Sequence, residues 1–185
     1  MRPLFILTLI LVSITSICQP VCLSEEEQKL YNLIMQYRKT RKLKSIPVST
    51  ALTRVAQAHV RDLSENYDNS DGNPCNPHSW SDKGKWSPCC YTGDHKQAKC
   101  MWDKPKEISG YESSGFEIAY WSSAGASAEE GLAGWKKSPG HNPLIVNLGI
   151  WKDTEWKAIG VGIYREYAVV WFGELEDENK PKLCE

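Results

Sequence analysis

Beyond its N-terminus the chain has no long uninterrupted apolar stretch, so no later segment reads as a membrane-spanning helix. It also lacks an excess of either charge. Its 22 basic residues stand against 23 acidic ones, a formal net charge of −1, and nothing here steers it toward nucleic acid or an anionic membrane. The sequence contains no GxSxG elbow, no phosphate-cradling glycine loop, no dinucleotide fingerprint and no HExxH pair. Internal repeats and low-complexity segments are missing as well. These absences remove the most recognisable hydrolase, nucleotide-binding and metalloprotease plans.

What is present begins with an apolar run. Leu4 to Val12 is broken only by Thr8, follows Arg2, and is followed by the small residues Ser13, Thr15 and Ser16. This pattern predicts a secretory signal peptide over residues 1–18, cleaved after Cys18. A lipoprotein anchor on Cys18 is the alternative, although Ile17 is bulky where a small residue is wanted. The expected product is secreted and extracellular, with residues 19–185 forming a single domain and no membrane span.

Seven cysteines occur: Cys18, Cys22, Cys75, Cys89, Cys90, Cys100 and Cys184. If Cys18 leaves with the signal peptide, an even set remains, which in a secreted chain suggests disulfides. The expected arrangement ties Cys22 to Cys184 and pairs the other four among themselves, with the adjacent Cys89 and Cys90 not joined to each other. A zinc cluster is the rival reading of the middle four, which lack a CxxC pair.

Ser24 and Glu27 form a capping box ahead of an amphipathic helix over Ser24–Lys42, with Leu30, Leu33, Ile34 and Tyr37 on one face. The basic run Arg38 to Lys44 reads as a solvated helix end. A second helix is predicted over Thr50–Leu63, capped by Ser49, with Leu52, Val55, Ala56, His59 and Leu63 along one side. His59 therefore reads as a histidine at the core edge. Residues 66–110 show no sustained period, hold four cysteines and three tryptophans, and read as a disulfide-pinned loop of the same domain. His95 within it reads as an exposed loop residue. A third helix spans Ser127–Ser138 and stops at Pro139-Gly140. Lys157–Tyr164 and Tyr167–Glu174 are β-rich and read as strands, with Arg165-Glu166 as a tight hairpin turn. Helices around a small antiparallel sheet make an α+β domain.

His78 in PHSW and His141 in SPGHN lie just outside the predicted regular elements, where a scaffold can present side chains for function. They are far apart in sequence, so only the fold can bring them together.

Several stretches in order resemble the CAP superfamily, or SCP-domain proteins, which comprise cysteine-rich secretory proteins, antigen 5 and pathogenesis-related proteins. They are YRKTRKL, LTRVAQAHVRDL, PHSW, GFEIAYWSS, GWKKSPGHNPLIV, AIGVGIY and YAVVWFGE. The WxxSPGH form is most similar to the bacterial-type branch. The resemblance covers roughly residues 24–174 and implies a three-layer α-β-α sandwich with an open cleft. It also implies that His78 and His141 line that cleft and can bind Zn2+ or another divalent metal, and that a glutamate sits close enough to act on bound water. Glu117 is the candidate general base, although strict alignment puts Phe116 at the glutamate position, and a one-residue slip reverses the face of an extended segment. The second acidic position of the family is Ser138 here.

This set, His78, Glu117, Ser138 and His141, supports a binding protein ahead of an enzyme. The expected function is capture of a protein or small-molecule ligand through a His-lined cleft that can hold a divalent metal. A metal-assisted ester or peptide hydrolase and a lipid or sterol carrier are the alternatives.

Overall fold

The structure, a computed structural model, describes residues 21–185. The signal-peptide reading, with Cys18, lies outside the described residues. Helix α1, Glu25–Thr40, starts where Ser24 accepts from the Glu27 backbone and the Glu27 side chain accepts from the Ser24 backbone, a complete capping box. Helix α2, Thr50–Asn66, is capped by Ser49 and runs about a turn beyond the expected Leu63. Helix α5, Ala128–Lys137, is capped by Ser127. Between α2 and α5 come two short helices, α3 at Ala98–Trp102 and α4 at Lys104–Ser109, and the strand β2 at Gly115–Trp121. The short helices were not expected. Each is too brief to display a helical period, and α4 is closed by Gly110 in the left-handed conformation (φ 72°). After α5 come α6, Asn142–Ile145, a 3-10 turn at Gly149–Trp151, and the strands β3, Ala158–Tyr164, and β4, Tyr167–Gly173.

The sheet order is β2-β4-β3, antiparallel throughout. Tyr164 pairs Tyr167 across the two-residue turn, where Arg165 takes φ 49°. Alternation along the strands sends side chains to two cores. Ile118, Ile159, Val161, Val170 and Phe172 pack on one side with α1, α5 and α6. Ala119, Ala158, Val169 and Trp171 pack on the other with α2 and the 66–110 segment. This is the α-β-α layering implied by the resemblance.

On the α2 side, β3 offers Gly160 and Gly162. A Cβ on Gly160 would lie 2.1 Å from the Leu52 carbonyl carbon, and one on Gly162 2.6 Å from that of Ala56. The helix thus rests directly on the strand backbone, a spacing only glycine permits here. Leu52, Ala56 and His59 share that helix face.

Three disulfides are present among the described residues. Cys22–Cys184 staples the chain ends beside the short parallel pair β1, Cys22–Leu23, and β5, Lys182–Leu183. Cys75–Cys90 and Cys89–Cys100 pin the 66–110 segment. Cys89 bridges to Trp80 in extended backbone and is buried, while Cys90 is exposed, so these neighbours point apart and take different partners. All four middle cysteines are consumed, which rules out the zinc-cluster reading of them. Among the described residues no helix is long and apolar enough to cross a membrane.

Gly160→Ala tests the close approach of α2. The added methyl meets backbone, which cannot swing aside, so unfolding in urea is expected to show a loss of about 1–3 kcal/mol or more.

Candidate functional site

Strand β2 settles which way its acid points. Phe116 faces the side of Trp151 and Trp156, with ring centroids 4.9 and 5.6 Å away. Glu117, one residue on, faces α2, and its side chain has no exposed surface. Burying a carboxylate is costly unless its oxygens find donors. Here Oε1 takes His59 Nδ1 and Oε2 takes His78 Nδ1 at 2.8 Å.

His59 comes from the apolar face of α2 and is fully buried. Its other nitrogen, Nε2, lies 2.9 Å from the Ser79 carbonyl oxygen, which can only accept. With Glu117 ionised, both ring nitrogens of His59 act as donors. The imidazole stacks on Trp80 at 4.1 Å and 6° and lies near Trp171, at 6.3 Å. These apolar walls keep water away and strengthen the charge interaction.

His78 is delivered by the disulfide-pinned segment. Its backbone N–H donates to Asn76 Oδ1 at 3.0 Å, and Asn76 N–H donates to the Tyr91 carbonyl at 2.8 Å. Trp80 and Cys89 exchange two backbone hydrogen bonds just beyond. The cysteines therefore hold the ladder that carries His78, Ser79 and Trp80. Because Glu117 accepts from Nδ1, a neutral His78 carries its proton there and presents a free lone pair at Nε2. Its side chain is 19% exposed.

His141 arrives from the turn after α5. Ser138 caps that helix, its carbonyl accepts from Asn142 N–H at 3.0 Å, and its Oγ accepts from His141 N–H at 3.3 Å. Ser138 thus shapes the turn that presents His141. The His141 ring is half-buried and near enough to His78 and Glu117 to feel both charges. Burial and the neighbouring His78 pull its pKa below the ordinary 6.5, against an opposing pull from Glu117.

The fold therefore joins His59, Glu117 and His78 by hydrogen bonds and sets His141 alongside. His59 is the member whose role was not legible; its only trace is a histidine among apolar residues on one helix face. Among the described residues no group of three or more His, Cys, Asp or Glu side chains is arranged to hold a metal ion. The largest of the described concavities, about 630 Å³, lies elsewhere, against Arg38, Lys44 and Trp156. His95 is exposed, with Nδ1 2.9 Å from the Tyr91 hydroxyl.

The pH dependence of folding follows. Burial pushes the Glu117 carboxyl up, but the charge of His59 and the hydrogen bonds from both histidines outweigh it, leaving it below its ordinary 4.5. A depressed carboxyl stabilises the fold above its unfolded pKa, and that stability goes as pH falls through the folded value. His141 is also depressed, so the unfolded chain binds the proton first and stability falls once pH drops below about 6.5. In thermal melts from pH 8 to pH 3, His141→Gln is expected to remove the loss that sets in below about pH 6.5. Glu117→Gln reduces the acid loss, to which the depressed carboxyls of Glu107 and Asp177 also contribute, and destabilises at neutral pH, toward the roughly 3–5 kcal/mol of a broken buried pair.

Residues 31–171 match the family model for CAP, the cysteine-rich secretory protein family. Comparison with curated protein sequences finds no match. Among solved structures, the chain is similar to an extracellular protein containing an SCP domain from Bacillus anthracis, at 17% identity and a TM-score of 0.56, over 81% of this chain and 40% of that one. It is similar to a cysteine-rich secretory protein from Staphylococcus aureus at 13% identity and a TM-score of 0.52, over 81% and 39%. An outer surface protein from Borrelia burgdorferi matches at 20% identity and a TM-score of 0.52, over 81% and 93%. The chain thus spans about two fifths of the first two proteins, and at these identities the likeness is one of fold. With the family model covering most of the domain and the same sandwich in each of these structures, the chain belongs to the CAP family of cysteine-rich secretory proteins.

Proposed function

We propose that the protein is a secreted CAP-domain binding protein that engages a protein or small-molecule ligand where His78 and His141 come together beside the disulfide-pinned segment. The observation that carries this reading is the use made of Glu117. Both its oxygens accept from imidazoles and its side chain is sealed from solvent, so neither oxygen is open to a water. Its part is that of a positioning residue, fixing the tautomer and direction of His78. Three disulfides suit an oxidising, extracellular setting.

The donor set fits a weakly held divalent ion such as Zn2+. His78 offers Nε2 while its Nδ1 bonds a carboxylate, an arrangement that orients metal-bound imidazoles. His141 is favoured in the uncharged form that a metal requires. Two imidazoles fall short of the three protein ligands usual in catalytic zinc sites, leaving water or a ligand to complete the shell. Bound there, the ion would supply Lewis acidity toward an oxygen ligand. One observation favours the second reading, a metal-assisted hydrolase: the Glu117–His78 pair orients an imidazole as a carboxylate orients a general base.

Calorimetric titration of the full chain with Zn2+ is expected to show one site of micromolar or weaker affinity. His78→Ala with His141→Ala should abolish it, while a single cooperative melt, lowered by the roughly 1.5–3 kcal/mol of a hydrogen bond to a charged group, shows that the fold is kept. Ester or peptide turnover that needs zinc and is absent from the double variant would replace the binding reading with the hydrolase. The absence of any zinc site would leave ligand capture without metal.

A further inference from the structure

Arg38 sits at the end of α1, in the basic run that reads as solvated, yet it is only 4% exposed. Its Nε donates to the Lys44 carbonyl at 3.1 Å, and its Nη1 donates to the Ile145 carbonyl at 2.5 Å and to Asn147 Oδ1 at 2.8 Å. Every one of these acceptors is neutral. Among the described residues no carboxylate forms an ion pair with Arg38, and burial alone pulls its pKa down to about 10. A guanidinium has five N–H donors, and the two on Nη2 find no protein acceptor among the described residues. A buried cation without a counter-charge is costly, and its removal from water is repaid when an anion reaches it.

Arg38 also lines the concavity of about 630 Å³ framed by residues 43–47, 147–157 and 176–180. The tail is fixed there. Asp177 Oδ2 accepts from Ser49 Oγ at 2.6 Å and from Ala51 N–H at 2.9 Å, and the Asn179 carbonyl accepts from Thr50 N–H at 3.0 Å. Lys44, Lys157 and Lys180 stand around the opening, and none of them makes an ion pair among the described residues. Glu155, Glu176 and Glu178 stand there too, likewise without an ion pair. A doubly charged phosphate would meet their repulsion, whereas a single carboxylate meets less and a zwitterion can use both signs.

We propose that this concavity is a second binding site, separate from the histidines, and that it takes a carboxylate group on a small acid or a peptide end, held by Arg38 Nη2 and Lys44. The neutral acceptors on Nε and Nη1 fix the guanidinium plane, so the free edge is preorganised. Leu43 and Pro47, with the 5% of Trp156 that stays exposed, add apolar surface for the rest of the ligand.

The test is a titration of the full chain at constant ionic strength, followed by NMR at the Arg38 Nε–H and the Asn147 amide. The probes are triglycine, triglycine amide, propionate and inorganic phosphate. Saturable shifts with triglycine or propionate are expected, and the tighter of the two distinguishes a peptide end from a free acid. Triglycine amide should give none. Lys44→Ala with Lys180→Ala, both exposed positions, should weaken the probe about fivefold, on the scale of exposed charge contacts, with the fold kept. The proposal is overturned if neither carboxylate saturates, if the amide binds as well as the acid, if phosphate binds tighter than both, or if the double variant binds unchanged. None of these readouts involves His78 or His141, so failure here leaves the zinc experiment unaffected.

Discussion

The Glu117 carboxylate is sealed between the sheet and α2, and much of this half of the molecule serves to keep it ionised there. An isolated buried carboxylate would take up a proton or force the fold open. Two imidazoles from different parts of the chain prevent this, one from the middle of α2 and one from the segment that follows it. Each must then be held to within hydrogen-bonding distance. For His59 the means is the glycine pair of β3, which lets α2 settle onto the sheet backbone at Leu52 and Ala56. For His78 it is the pair of disulfides that close the 75–100 ladder. Trp80, from that same ladder, covers the His59 ring and completes the exclusion of water.

That dependence explains why the 66–110 segment is so long yet ordered. Loops of this length carry few contacts of their own and are expected to be mobile unless tied. Here the segment contributes a histidine, a carbonyl acceptor and an aromatic lid to a charge cluster whose other half belongs to the sandwich. The cysteines are best understood as part of the site's second layer. They fix the backbone from which His78 and Ser79 reach Glu117 and His59.

Local signals carried much of the fold into the sequence. The capping box at Ser24, the Ser49 and Ser127 caps and the β-rich composition of Lys157–Glu174 each mark an element by residues close in sequence. The stapling of Cys22 to Cys184 was readable from the position of those cysteines near opposite ends of the domain. Site geometry depends instead on partners distant in sequence. Phe116 and Glu117 differ by one residue in an extended strand, and only the packing of Phe116 against Trp151 and Trp156 decides which of them meets α2. His59 looked like a core residue because its helix face is apolar; its polar partners come from β2 and the cysteine-rich segment. Gly160 and Gly162 read as ordinary letters of a strand, since nothing local reveals that a helix backbone lies against them.

Arg38 went unread for a related reason, and its contrast with Glu117 is instructive. Both are charged groups withdrawn from water, and their compensation differs. Glu117 has a charge-bearing donor on one oxygen and a second imidazole on the other, and its side chain is sealed from solvent, so its role is internal. Arg38 has only peptide and amide oxygens, which satisfy three donors but neutralise no charge. A fold that merely needed to bridge the Ile145 and Lys44 carbonyls could use an uncharged donor and avoid the desolvation of a cation. Retaining a guanidinium with an unused edge, at the wall of an open concavity, makes sense when the missing charge is brought from outside. Buried charge is thus used in two ways in one small domain: closed on itself where it fixes the histidines, and left open where it faces solvent-accessible space.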